Sequence, residues 1–304
     1  SIKMIKMITY LLLLSVSSIL IPPYQAEEAC RMMIDKHNRA EMMSKNFVFG
    51  NNNLWPDKQV PYVFGTRFTS SEKKMIQEAM DTIQTSSCVE FIARSTQRNF
   101  IILRNDKRGC YTSALGFNQN RGSTTINLNR RMCMTPSTII HELFHALGFM
   151  HEQNRPDRDA FIRVSWNNIQ QSTNTYYQFA RARASGETIQ RCDLRRLTPY
   201  SNCYNGMTAT TFGLPYDYKS VMQYSRKAFS KNGRNTMTPT RAFRGPLGNR
   251  VGMTSLDIQK LNEAYQCNSA TSCNDGYSFC SNVQIFCRLS TWMRKNCKKT
   301  CNFC

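Results

Sequence analysis

The chain has 304 residues, 41% of them hydrophobic, which suffices for one sizeable domain plus a small module and excludes a disordered or collagen-like chain. Lys and Arg number 40 against 20 Asp and Glu, a formal net charge of +20, with no run of five or more basic residues. This spread, with small local excesses at residues 181–196 and near the end of the chain, suggests weak attraction to anionic extracellular surfaces such as sulfated glycans, with a merely solvated basic surface as the alternative. Without a recognition motif, no nucleic-acid partner is expected.

Residues 7–21 are apolar, follow Lys3 and Lys6, and precede Pro22-Pro23. That pattern predicts a secretory signal peptide over residues 1–26, with the initiator at Met4 or Met7. It is shorter than the roughly 20 residues a membrane span needs, so the mature form is expected to be secreted, without a span. Residues 27–45 are polar, Met-rich and expected to be helical. Beyond them, β-branched and aromatic residues predict strands over 59–64, 88–93, 99–104 and 124–128. Met75, Ile76, Ala79, Met80 and Ile83 recur at helical spacing within 70–86, with Ser70 or Ser71 as candidate N-cap. Helices are also expected over 136–149 and 254–265, and a looped stretch over 185–214. Interleaved strands and helices indicate an α+β domain with a sheet near its start.

Thirteen cysteines in a secreted chain imply disulfides, and the odd total leaves one without an internal partner. Seven lie before residue 270 and six crowd into 273–304, which puts a domain boundary near residues 268–272. The short second part needs covalent staples to fold.

The chemistry centres on His141-Glu142-Leu143-Phe144-His145, followed by Gly148 and His151. Two His four apart on a helix share a face and can reach one metal. Gly148 permits a left-handed exit from the helix, so that His151 can return as a third ligand. Three imidazoles with an open position describe a catalytic zinc site, with one Zn2+ per chain. Glu142 is placed to take the proton of a metal-bound water as that water attacks a carbonyl.

Together with the following Glu152-Gln153-Asn154-Arg155-Pro156-Asp157-Arg158-Asp159 and with Ser220-Val221-Met222-Gln223-Tyr224, this segment resembles the signature and Met-turn of astacin zinc endopeptidases, a branch of the metzincins. The resemblance covers roughly residues 35–267. It implies a metzincin fold with a twisted N-terminal sheet and a zinc-binding helix, and proteins or peptides as substrates. Met222 would form an apolar floor under the metal. Tyr224 would be a switchable fifth ligand that stabilises the tetrahedral intermediate. Gln223 departs from the family's usual His. Asn46 and the Trp55-Pro56 that follows resemble the mature start of these enzymes, so the resemblance implies a 27–45 propeptide, cleavage after Lys45, and a peptidase domain over 46–267. The new amine of Asn46 would then pair with Glu152. Zymogen latency falls to Asp35, the residue kept from the family's FxGD motif, with the unpaired Cys30 as a rival zinc blocker. The resemblance pairs Cys88 with Cys267 and Cys110 with Cys133, leaving Cys192 and Cys203 to bridge each other. Arg250 resembles a cation of the pocket just beyond the scissile bond, and a plain surface Arg is the alternative.

Residues 273–304 resemble a ShK toxin-type (ShKT) module, which implies the pairs Cys273–Cys304, Cys280–Cys297 and Cys287–Cys301. Thr291-Trp292 stand where channel-blocking members carry Lys-Tyr, so a docking or spacer role is favoured. A catalytically silent binder on the same fold, or a toxin acting through the tail, are the competing classes. Retention of Glu142, Tyr224 and the three His speaks for the enzyme.

Overall fold

The computed structural model describes residues 53–267. Its largest sheet has the order β2-β1-β3-β5-β4, where β1 is Gln59–Phe64, β2 Glu90–Ala93, β3 Phe100–Arg104, β4 Cys110–Thr112 and β5 Ser123–Leu128. All neighbours run parallel except β4, which lies antiparallel to β5 at the sheet edge. The fold class is the expected α+β.

Helix α1 (Ser70–Ser86) packs Ile76, Ala79, Met80 and Ile83 into the core. Its cap is Thr69 rather than Ser70 or Ser71, because only Thr69 has Glu at the third helical position. The Thr69 hydroxyl accepts from Glu72 N at 3.2 Å and Glu72 Oε2 accepts from Thr69 N at 2.7 Å, closing a capping box. Helix α2 (Pro136–Ala146) starts at the Thr135 cap with Pro136 in the first turn. It ends three residues before the predicted limit, since Gly148 takes φ +104. Gly148 N donates to His145 O at 3.0 Å and Phe149 N to Phe144 O at 2.9 Å, a Schellman closure. Trp55 Nε1 and the Tyr265 hydroxyl donate to the carbonyls of Ala146 and Leu147, satisfying the helix end inside the core.

The chain beyond Gly148 is stitched from short pieces. Strands β6 (Ile162–Val164) and β9 (Met237–Pro239) pair antiparallel, β7 (Arg181–Arg183) and β8 (Tyr204–Thr208) pair in parallel, and α3 (Thr173–Phe179) lies between β6 and β7 in the sequence. A second apolar cluster, including Ile162, Phe179, Tyr200 and Phe229, fills this part. Helix α4 (Ser255–Ala264) returns to the first core through Leu261 and Tyr265. Disulfides join Cys88 to Cys267, Cys110 to Cys133 and Cys192 to Cys203. No helix among the described residues is long and apolar enough to cross a membrane. The segments expected to be signal and propeptide, with Cys30, Asp35, Lys45 and Asn46, lie outside the described residues, as do all six tail cysteines.

Candidate active site

Helix α2 presents His141 and His145 one turn apart, and the Gly148 turn brings His151 back to them. His151 Nε2 lies 3.2 Å from His141 Nε2 and 3.1 Å from His145 Nε2. His141 Nδ1 faces the Val221 carbonyl at 2.8 Å, and His145 Nδ1 faces the Phe149 carbonyl at 2.7 Å. A carbonyl only accepts, so both Nδ1 atoms carry the hydrogen and both Nε2 atoms keep a lone pair. Lone pairs this close repel unless a cation lies among them. Two nitrogens bound to a tetrahedral zinc at about 2.05 Å would stand about 3.3 Å apart, so the donor set fits the ion. Burial, reinforced by the neighbouring imidazoles, holds His145 down to about 3 and His151 well below its ordinary value. Burial lowers His141 as well. All three are neutral at pH 7, as ligands must be.

Glu142 is fully buried, and the Thr112 hydroxyl of β4 lies 2.9 Å from its Oε2 and 2.8 Å from its backbone carbonyl. One hydroxyl thus ties the carboxylate to the sheet edge. A cavity of about 520 Å³ opens beside His141 and Glu142, walled by Val221, Tyr224 and the 246–250 segment. A smaller one, of about 90 Å³, lies on the other flank and reaches Tyr111, Tyr177 and Gln178.

Ser220–Tyr224 forms a tight turn anchored on α4. Asp257, the cap partner of that helix, accepts from the Ser220 hydroxyl at 2.5 Å and from Val221 N at 3.0 Å. Met222 is 2% exposed, in the same apolar cluster as Leu143 and Phe144. The Tyr224 ring lies 4.3 Å from that of His151, and its hydroxyl donates to Gln178 Oε1 at 3.3 Å. Gln223 donates to the Tyr224 carbonyl and accepts from the Tyr216 hydroxyl, so its amide braces the turn without a titrating ring.

Glu152 Oε1 accepts from Lys260 Nζ at 2.7 Å, Asp217 N at 2.8 Å and Arg155 Nη1 at 3.2 Å. Burial pushes this carboxyl up while the two cations pull it down. Arg250 is exposed on the wall of the large cavity, which Arg226 and Lys227 also line. The sequence reading missed Thr112, Gln178 and Lys260, whose roles arise from distant elements. Arg226 and Lys227 were within reach, since they follow Tyr224 almost directly.

The sequence model of the astacin family of peptidases matches residues 48–202 and 201–266, and an ShK domain-like model matches 272–304. The chain belongs to the astacin family, and its cofactor is zinc. It is 31% identical over 236 residues to zinc metalloproteinase nas-4 of Caenorhabditis elegans, covering 73% of this chain and 66% of that one. With high choriolytic enzyme 1 of Oryzias latipes it shares 35% over 209 residues, covering 68% of this chain and 66% of the relative. The chain thus spans a little under two thirds of these relatives' own lengths. The solved structure of that same Oryzias latipes enzyme, described as a hatching enzyme zinc-protease, superposes with a TM-score of 0.56 at 32% identity, covering 75% of this chain and 96% of the other.

Proposed function

We propose that the chain is a secreted zinc endopeptidase, made as a zymogen and activated by cleavage after Lys45. The observation that carries this reading is the convergence of three neutral imidazoles beside a buried carboxylate, with His141 and Glu142 lining the large cavity and Glu142, His145 and His151 the smaller one. His141, His145 and His151 would hold the zinc, which supplies Lewis-acid polarisation and acidifies water when bound. Glu142 takes a proton from the attacking water and passes it to the departing amine nitrogen as the C–N bond breaks. Thr112 keeps that carboxylate aimed into the cleft. The Tyr224 hydroxyl, parked on Gln178, turns to donate to the oxygen that gains charge when the carbonyl becomes tetrahedral. Met222 supports the site from the apolar side.

Residues 1–26 are read as signal, 27–45 as propeptide, 46–267 as peptidase and 273–304 as ShKT module. Asp35 is the proposed blocker of the zymogen, with Cys30 as its rival. The basic surface suits anionic extracellular glycans, and Arg250 suits an acidic residue just beyond the scissile bond. The three disulfides fit an oxidising compartment.

The deciding experiment is Glu142→Gln in the Lys45-processed enzyme. Metal analysis should still find about one zinc per chain, while peptide hydrolysis falls about 10³-fold, since the amide cannot accept the proton. Activity within about tenfold of the parent would remove Glu142 as the base.

A further inference from the structure

Residues 218–256 contain eight Lys and Arg and no Asp or Glu. Seven of the eight are exposed, and Arg226 is half-buried. Among the described residues, none of the eight has a carboxylate within ion-pair distance. The basic stretch that the sequence reading singled out behaves differently. Arg181 is paired with Glu187 at 2.5 Å, and Arg195 and Arg196 share Asp193 at 3.3 and 3.4 Å. Residues 181–196 thus hold five Arg against Glu187 and Asp193, a net of +3, whereas 218–256 carries +8 with no acid at all.

The 218–256 cations belong to one lobe. Gly248 N donates to Tyr218 O at 2.7 Å, Thr236 N to Arg226 O at 2.8 Å, and Arg226 Nη2 to Gly245 O at 2.8 Å. The Tyr218 and Phe243 rings stack at 4.6 Å. Arg226, Lys227 and Arg250 line the large cavity, whereas Lys231, Arg234, Arg241 and Arg244 are exposed and do not. Positive charge therefore extends beyond the residues that line the cleft.

We propose that this lobe is a docking surface for a sulfated glycan chain. An exposed cation gains little from a single anion, so only a ligand carrying many fixed anions accumulates useful affinity there. Lys231, Arg234, Arg241 and Arg244 line neither of the two cavities described above, so no concave pocket there selects a small anion. Tyr218 and Phe243 cover each other rather than offering free ring faces, which removes the stacking platform a nucleic acid would use. The proposal rests on the extracellular reading only for the partner's availability, and heparin binding can be measured whether or not the chain is secreted.

The test is the affinity of the full chain for heparin across a salt series, with three fourfold alanine variants. One replaces Lys231, Arg234, Arg241 and Arg244. A second replaces Lys73, Arg98, Lys107 and Arg131 elsewhere on the domain, and a third Arg294, Lys295, Lys298 and Lys299 in the tail. The first should bind about thirtyfold more weakly, with the log–log salt slope reduced by about three. The other two should change about twofold, and hydrolysis of a neutral peptide should stay at parental rate in all three. Equal losses in all variants would reduce the effect to bulk charge, and a loss confined to the third would move the site to the tail. Equal affinity for a single-stranded oligonucleotide would overturn the assignment to a glycan. No binding by the parent at about 0.15 M salt would dismiss glycans altogether.

Discussion

The two halves of the domain are held together by different physics. Up to residue 147, strands of three to six residues and two long helices bury a periodic apolar set, with Ile76, Ile83, Ile101 and Leu103 fully enclosed. From His151 to residue 254, no strand exceeds five residues, and buried polar groups act as struts between loops. Arg158 leads the largest fully buried side chains, and its Nη1 donates to Gln153 O at 2.9 Å and Phe179 O at 2.6 Å. Arg155 reaches Leu214 O and Pro215 O, and Asn154 reaches Gln178 O and Ala180 O. The run that follows the third His is therefore scaffold as much as signature. Its side chains replace the sheet ladder that the second half lacks.

Removing a polar partner of a buried group in the second half should hurt more than trimming the core of the first. Lys260→Met leaves Glu152 buried with half its positive charge gone, at a cost of about 3–5 kcal/mol. Ile83→Val, in a fully enclosed site, should cost about 0.5–1.5 kcal/mol. Denaturant midpoints would rank the two, and a smaller loss for Lys260→Met would refute the contrast.

A pair of glycines sharpens it. Gly248 has φ +70, and a Cβ there would meet the Gln223 backbone oxygen at 2.3 Å. Gly148 has φ +104, but its nearest neighbour would be 3.7 Å away. Gly248→Ala combines left-handed strain with a clash against main chain and should cost about 2–5 kcal/mol. Gly148→Ala carries the strain alone, about 1–2 kcal/mol. Equal shifts in thermal midpoint would show that the 248 turn yields freely.

The same contrast explains what could be read from the sequence. Helices α1, α2 and α4 and four strands of the large sheet announce themselves through periodic apolar residues and caps. The three His and Glu142 are legible because they fall within eleven residues, on a helix and its exit turn. Strand β4 is three residues long and starts at a cysteine, too little for a pattern. Strands β6 and β9 register Ile162 against Pro239, a pairing no local signal encodes. Thr112, Gln178 and Lys260 act on residues 30, 46 and 108 positions away, so their roles exist only once the chain has folded.

The proposed catalytic residues fall on both sides of the boundary between the halves, and Tyr224 tests how they cooperate. Tyr224→Phe keeps the ring against His151 but removes the donor. Zinc content should be unchanged and kcat should fall about 10²-fold, with KM little altered, because the hydrogen bond forms chiefly in the transition state. An unchanged kcat with a raised KM would make Tyr224 a binding residue.

Specificity should show the smallest effect, because the second half delivers it from an exposed wall. Arg250 lines the cavity but faces solvent, so water and salt screen its attraction for a carboxylate. Its contribution should be about 1 kcal/mol, or roughly fivefold in kcat/KM for Asp or Glu over a neutral residue beyond the scissile bond. Arg226 lines the same cavity with its guanidinium already held by Gly245 O and Phe243 O, so it loses little freedom when it meets an acid. Arg250→Ala should therefore reduce the acidic preference without abolishing it, and Arg226→Ala should remove a comparable or larger share. Raising salt should erode the Arg250 share first, since it is the more exposed of the two. A cleavage profile that favours acids equally before and after Arg250→Ala would take this residue out of the specificity site and leave the preference to its half-buried neighbour.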